Sequence, residues 1–267
     1  MRKVRSIFKY LFVIGMILLL YAAAVEPYTL KTTEYTLENQ SLSGVKIVFA
    51  ADFHIAPYVW EKQRLRRIVA KINAQNADLV VLGGDYVNRH KQNSTLPPQD
   101  IVAALAEISA SKVAVLGNHD SYYGKNEVMR VFTEAGIPVL DNQNISMIVN
   151  NRKITIAGVA DYYTDKPDIG KALADVASPV VFVTHSPDIF PQLRGRAAVA
   201  FAGHTHGGQI VLPLFGAPLV PSDYGQRYRY GLIYEQNTPL IVSSGLGTSL
   251  LPLRFNNRPE IVFVEFK

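Results

Sequence analysis

The chain has 267 residues, 48% of them apolar and 18% charged, enough to bury one sizeable core and too apolar for wholesale disorder. Its formal charge is +5, but Arg2, Lys3, Arg5 and Lys9 carry most of it; beyond Lys9, 23 basic residues face 22 acidic ones, so a nucleic-acid partner is not expected. There is no cysteine, which excludes disulfides, thiolate catalysis and cysteine-ligated zinc and leaves the redox compartment open.

Residues 1–26 stand apart from 27–267. A basic head, MRKVRSIFK, precedes an uncharged run of 16 residues, Tyr10 to Val25. At 1.5 Å per residue the run covers about 24 Å, short of the roughly 30 Å hydrocarbon layer. Counting Ile7 and Phe8, with Lys9 snorkelling, makes it long enough for a single transmembrane anchor. Ala22 and Ala24 also fit an A-x-A cleavage site, so a removed signal peptide with export of the remainder is the rival reading. The positive head favours a cytoplasmic N-terminus and an outer C-terminal domain; a helix dipping into the inner leaflet would keep that domain inside.

From Pro27 onward the pattern alternates. GVKIVFAADFH holds an apolar run, Val45 to Ala51, and WEKQRLRRIVAKINAQ places Leu65, Ile68, Val69 and Ile72 at helical spacing. ADLVVLGGD is a short apolar run closed by Gly-Gly-Asp, and a polar loop, NRHKQNSTLPPQ, leads to the helical PQDIVAALAEISA. KVAVLGNHD is a third strand-like run, and NEVMRVFTEAG a helix stopped by Gly136. Strands are expected at Ile137–Leu140, Ile145–Val149 and Lys153–Gly158, then a short helix near Asp168–Val176, then PVVFVTH and AAVAFAGHTH. Further strands are expected at Gln209–Leu212, Leu232–Tyr234, Leu240–Ser243 and Ile261–Phe266. Continuous Val/Ile/Leu runs belong to strands buried on both faces. The alternation reads as α/β early and as a second sheet later, hence an α/β (α+β) sandwich of two sheets flanked by helices.

Five apolar runs end, on their C-terminal side, in metal-competent residues: Asp52 and His54; Asp85; Asn118 and His119; His185; His204 and His206. Strand carboxyl ends are where sites assemble in open α/β sheets. Imidazole and carboxylate suit divalent Mn, Zn or Fe. An i, i+2 pair in extended backbone projects to one face, which is the expectation for Asp52 with His54 and for His204 with His206. Two ions sharing a carboxylate would leave a site attractive to phosphate, the logic of a phosphoester hydrolase that uses metal-activated hydroxide.

DFH, GGDYVN, GNHD, THSPD and GHTHGGQ resemble, in order, the five blocks of the calcineurin-like metallophosphoesterases, a resemblance that covers nearly everything from Val45 onward. A given four-residue block arises by chance in ~10⁻³ of chains this long; five in order are specific. GHTHGGQ followed by YG…YRYGL and GLGTSLLPLRF resembles the bacterial membrane-associated phosphodiesterases, some of which hydrolyse UDP-2,3-diacylglucosamine in lipid A synthesis. The resemblance implies a four-layer α-β-β-α sandwich of two mixed sheets and two bound divalent ions. Asp52, His54 and His206 would hold one ion, Asn118, His185 and His204 the other, with Asp85 bridging. His119 would act as acid or charge stabiliser, oriented by Asp120. It also implies a phosphodiester or pyrophosphate substrate, small or lipid-linked, and an inner-membrane location. Ala51 departs from the Ser or Thr common before the first Asp. The rival function is a non-catalytic metal-bound scaffold; another is an exported phosphodiesterase acting on cell-wall or nucleotide substrates.

Plainer readings apply elsewhere. His90 is expected to be a loop histidine, and Arg64, Arg66 and Arg67 a solvated helix face rather than an anion site. Arg227 and Arg229, with Tyr224, Tyr228 and Tyr230, are placed evenly between substrate contact and structure. GLGTS lacks P-loop and nucleophile-elbow spacing and reads as a turn near the site.

Overall fold

The computed structural model describes residues 2–88, 92–176 and 179–267; His90 and its immediate neighbours in the polar loop lie outside them. Helix α1 (Arg2–Ala24) comes first, and among the described residues one stretch, Ser6–Tyr28, is long and apolar enough to cross a membrane. At 1.5 Å per residue α1 reaches ~35 Å, and its apolar side chains stand clear of the domain, as at Phe12 and Leu20.

Two mixed sheets follow. The first contains β1 (Lys31–Leu37), β2 (Lys46–Ala50), β3 (Leu79–Leu82), β4 (Ser111–Ala114) and β11 (Glu260–Phe266), in the order β1-β11-β2-β3-β4. β2, β3 and β4 run parallel, while β11 is antiparallel to β2 and parallel to β1. The second contains β5 (Gln143–Val149), β6 (Arg152–Gly158), β7 (Val180–Val183), β8 (Val199–Ala202), β9 (Gly231–Glu235) and β10 (Thr238–Val242), ordered β5-β6-β7-β8-β10-β9. Its four inner strands are parallel and both edges antiparallel.

Strand alternation sorts the runs into layers. Ile47 and Phe49 of β2 face Val181, Val183 and Phe201 of the second sheet in the central core, where Phe49 stacks on Phe201 at 5.2 Å. Val48 and Ala50 face outward onto α2 (Val59–Asn73), α3 (Pro98–Ala106) and α4 (Asn118–Glu134) through Ile68, Ile101 and Phe132. Burying side chains of this size contributes about 1.5–3 kcal/mol each. The second sheet's outer face is covered more thinly, by α5 (Ile169–Ala172), the 3-10 turn Pro187–Gln192 and Tyr228. The four layers are those of the α-β-β-α sandwich.

Three local expectations are corrected. Ile137–Leu140 and Gln209–Leu212 are not strands; each makes only isolated bridges, Val139 to Ala114, Ile210 to Phe255 and Leu212 to Gly216. The first is interrupted by Pro138, which has no N–H for a ladder; the second follows a left-handed Gln209 that turns the chain. Helix α4 begins at Asn118, eight residues before the predicted segment, and absorbs a break at Gly124 (φ 153°). β1, KTTEYTL, escaped notice because its side chains are mostly polar and half-exposed; its backbone pairs with β11 along the sheet edge.

Candidate metal centre

All five strand ends converge. β2, β3 and β4 of one sheet and β7 and β8 of the other deliver Asp52, His54, Asp85, Asn118, His185, His204 and His206 to one place. The reason given by spacing alone is corrected: Asp52 and His54 lie beyond the end of β2, and His204 and His206 beyond β8. Asp52 (φ 55°), His54 (43°), Asp85 (54°), His204 (68°) and His206 (49°) all have left-handed backbone. Such conformations cost roughly 1–3 kcal/mol each and persist where the surroundings over-determine them. The turns, not extended pleats, aim these side chains inward.

Two groups of donor atoms result. In the first, His54 Nε2 lies 3.1 Å from His206 Nε2 and 3.4 Å from Asp85 Oδ2, while His206 Nε2 is 3.6 Å from Asp52 Oδ1. In the second, His185 Nε2 lies 3.3 Å from Asp85 Oδ2 and 3.2 Å from Asn118 Oδ1, and His204 Nδ1 is 3.1 Å from that same amide oxygen. Asp85 Oδ2 thus belongs to both. Donors bonded at ~2.1 Å to one ion stand ~3.0–3.4 Å apart, which is the spacing of both groups, and imidazole with carboxylate and one amide oxygen is a donor set for Mn, Zn or Fe.

Surrounding contacts hold these atoms. The Asp52 carboxylate accepts the His204 backbone N–H at 2.9 Å, so it is fixed although Ala51 offers no hydroxyl. A Cβ on Gly203 would come within 2.6 Å of Asp52 Oδ2 and one on Gly245 within 2.8 Å; these glycines let the two loops close on Asp52. His185 Nδ1 donates to the Gly83 carbonyl at 2.8 Å, leaving Nε2 as the acceptor turned into the site. Burial pushes the Asp52 carboxyl up to about 7 and holds His54 and His204 down at about 3, with His206 well below its ordinary value. Burial opposes the charged forms of Asp85 and His185 too, but their mutual attraction outweighs it: Asp85 sits well below the carboxylate range and His185 well above the imidazole range.

His119 stands at the edge of this set, its ring 4.6 Å from that of His54, with Nδ1 bonded to the Asn88 carbonyl at 2.8 Å. The expectation that Asp120 orients it directly is corrected. The buried Asp120 carboxylate accepts the backbone N–H groups of Asp85, Tyr86, Val87 and Gly117; it shapes the loop that carries Asn88, and Asn88 holds the imidazole. A cavity of about 430 Å³ opens over His54 and His119, its walls including Asn88, Tyr58, Trp60 and Leu250.

Arg64 is not solvated: its guanidinium donates to the Phe53 and Leu246 carbonyls and pairs with Glu61. Arg66 and Arg67 are exposed. Arg229 donates to Gly207 O, Arg227 pairs with Glu235, and Tyr228 is core, so this segment braces the His204–His206 turn. GLGTS packs on the site: Gly247 N–H bonds the Asp52 carbonyl at 2.6 Å.

Two supports were missed from sequence. Tyr163 stacks on His204 at 4.7 Å and gives its hydroxyl to Asp188, the last residue of THSPD. Arg254, wholly buried, donates to the carbonyls of Ser244, Gly245, Gly247 and Asn257 beneath Asp52. An arginine inside the apolar LPLRF was its signal; Tyr163 had none.

Residues 45–208 match the family model for calcineurin-like phosphoesterase. The chain is 31% identical over 259 residues to the uncharacterized metallophosphoesterase YkuE of Bacillus subtilis (strain 168), covering 92% of this chain and 89% of that one. It is 33% identical over 224 residues to the phosphodiesterase YaeI of Escherichia coli (strain K12), covering 82% and 81%. A Danio rerio transmembrane protein with a metallophosphoesterase domain is 27% identical over 262 residues, 91% of this chain and 58% of that one. The matched region contains every donor described above, and the chain belongs to the calcineurin-like phosphoesterase family, metal-dependent hydrolases that work with two divalent ions.

Proposed function

We propose that Asp52, His54 and His206 hold one divalent ion, that Asn118, His185 and His204 hold the second, and that Asp85 bridges them. The reading rests on one observation: buried donor atoms gather in two groups at ligand spacing with Asp85 Oδ2 common to both. When bound, the ions neutralise phosphoryl charge and lower the pKa of an attacking water. The reaction adds a water oxygen to phosphorus, breaks one P–O ester bond, and yields a monoester and an alcohol. His119 supplies the proton that the leaving oxygen needs. With Nδ1 committed to Asn88, exchange takes place at Nε2.

The substrate we propose is a phosphodiester or pyrophosphate on a lipid-linked or nucleotide-sugar head group, of which UDP-2,3-diacylglucosamine is one instance. The polar centre lies under a cavity whose mouth includes Pro27 and Tyr28, just past the apolar α1. We assign α1 as an inner-membrane anchor. The test loads metal-depleted protein with Mn²⁺ and measures hydrolysis of bis(p-nitrophenyl) phosphate, then of lipid-borne diesters and pyrophosphates in mixed micelles. Turnover of both classes, abolished by chelation, supports the reading; two tightly bound ions with no turnover of any diester would favour a scaffold. A paired reporter fusion at the C-terminus assigns the membrane face.

A further inference from the structure

We propose that the domain has a second contact with the bilayer besides α1: an apolar collar formed by the loop tips Tyr58–Trp60, Leu212–Phe215 and Leu250–Leu251, which dips into the head-group layer and holds the cavity mouth at the lipid surface. The proposal rests on reading α1 as a membrane anchor, and on four observations.

The first is position. The foot of α1 is tied to the domain, where Arg254 N–H bonds the Ala22 carbonyl at 2.9 Å and Asn257 N–H the Glu26 carboxylate at 2.5 Å. The 250–257 segment is therefore held at the place where the helix leaves the domain. On another side of that foot, Tyr21, Val211 and Pro213 share the wall of one surface cavity, which puts the Leu212–Phe215 tip beside it as well.

The second is exposure. Trp60 is 55% exposed, Leu250 75%, Phe215 85% and Leu214 wholly so. Scattered apolar residues are ordinary on a surface, but large ones gathered at loop tips around an apolar helix are not. The third is backbone conformation. Leu214 (φ 70°) and Leu250 (φ 58°) occupy the left-handed region, where Gly or Asn would be the low-strain choice. Both tips accept that cost to present a leucine outward. The fourth is continuity with the site: Tyr28, Tyr58, Trp60, Leu250 and Leu251 line the mouth of the cavity over His54 and His119.

The occupant these features fit is the bilayer that α1 enters. Leucine and phenylalanine gain by leaving water, and a tryptophan at the rim matches the interfacial preference of its ring. Exposed Arg258, at the same edge, is placed to meet lipid phosphate. A head group would then reach the centre without its acyl chains leaving the membrane.

Trp60 is the sole tryptophan, so its emission reports on the collar alone. The full chain is reconstituted into phosphatidylcholine vesicles containing lipids brominated close to the head group. The expected result is blue-shifted emission, quenching by the shallow bromines and protection from aqueous acrylamide. L214N/F215S and L250N/L251S should each reduce quenching while the fold stays intact, because asparagine suits the left-handed backbone better than leucine does. L214N/F215S should also raise KM for a lipid-borne diester and leave bis(p-nitrophenyl) phosphate turnover unchanged. Alkaline extraction of the vesicles reports on α1 separately. A chain retained after extraction whose Trp60 shows no bromine quenching overturns the collar while α1 stands; quenching in an extractable chain supports the collar and removes the anchor. A concentration-dependent blue shift without bromine quenching means a second copy covers the patch, and the proposal fails.

Discussion

His54 and His206 turn their Nε2 atoms toward each other at 3.1 Å inside the domain, and burial keeps both rings neutral. One N–H can serve that contact, and the same arrangement offers an ion two lone pairs at once. Divalent ions should therefore stabilise the fold in a pH-dependent way. With Asp52 raised to about 7, the folded ion-free chain holds a proton that the unfolded chain releases near 3.8. Its contribution is in place at low pH and lost as pH rises through 7. His54 and His204 act in the opposite sense: held near 3, they contribute above the ordinary value of 6.5, and that contribution is lost as pH falls. An ion replaces the Asp52 proton, so the Tm gain on adding Mn²⁺ to chelator-treated protein should grow from about pH 5.5 to about 7.5, by up to about 1.4 kcal/mol per pH unit for each proton displaced. A gain independent of pH would contradict the protonation assigned to Asp52.

His119→Ala should separate chemistry from metal binding. The ring is bonded to Asn88 and lies beside the donor groups rather than between them. Its loss should lower turnover of bis(p-nitrophenyl) phosphate by roughly 10²–10⁴, while elemental analysis still finds both ions. Loss of an ion together with activity would instead make His119 a ligand.

Asp85→Asn tests the bridge. The change is nearly isosteric, yet it removes the negative charge facing both His54 and His185. Ion stoichiometry should fall below two, and the stabilisation by Mn²⁺ should shrink with it. The Asp85 Oδ1 contact to His119 N–H survives as an amide contact, so circular dichroism should show an intact fold. Full retention of both ions would place the shared ligand elsewhere.

The legible part of this molecule was its buried parallel strands. β2, β3, β4, β7 and β8 are continuous apolar runs ending in polar residues, and both the layers and the convergence of Asp52, Asp85, Asn118, His185 and His204 follow from that pattern. β1 was not legible, because an edge strand such as KTTEYTL is held by main-chain pairing and needs no apolar stripe. Backbone handedness was not legible either: the left-handed turns at Asp52 and His54 are imposed by the Gly245–Gly247 loop, which is nearly two hundred residues away in sequence. For the same reason Asp120 was misjudged. Its neighbour in sequence is His119, but its partners in space are the N–H groups that follow β3.

Tyr163 supports His204 in two ways that substitutions can separate. Its ring stacks on the imidazole, and its hydroxyl is held by Asp188, which also takes the Ser222 hydroxyl and the Asp223 N–H. Tyr163→Phe retains the stack and loses one hydrogen bond, so stability should drop by about 1 kcal/mol with little change in Mn²⁺ affinity. Tyr163→Ala removes the stack as well and should weaken metal binding measurably. Equal Mn²⁺ affinity in both variants would mean that His204 does not depend on the ring.

Arg254 offers the sharpest test of how the centre is supported from below. Its guanidinium is wholly buried and remains charged, though burial lowers it to about 10, and it binds the carbonyls of Ser244, Gly245, Gly247 and Asn257. Those carbonyls belong to the loop whose Gly247 N–H holds the Asp52 backbone and to the segment whose Asn257 amide holds the His206 carbonyl. Arg254→Met fills similar volume but leaves several acceptors without donors, and removes a positive charge that offsets Asp52 and Glu260. It should cost about 3–5 kcal/mol by denaturant unfolding. Arg254→Lys should recover little, since a single ammonium cannot span carbonyls that a planar fork reaches on two edges. In both variants Mn²⁺ affinity should fall with stability, because the loop that sets Asp52 loosens. A lysine variant with native stability and full ion binding would show that the charge alone, not the fork, organises this floor.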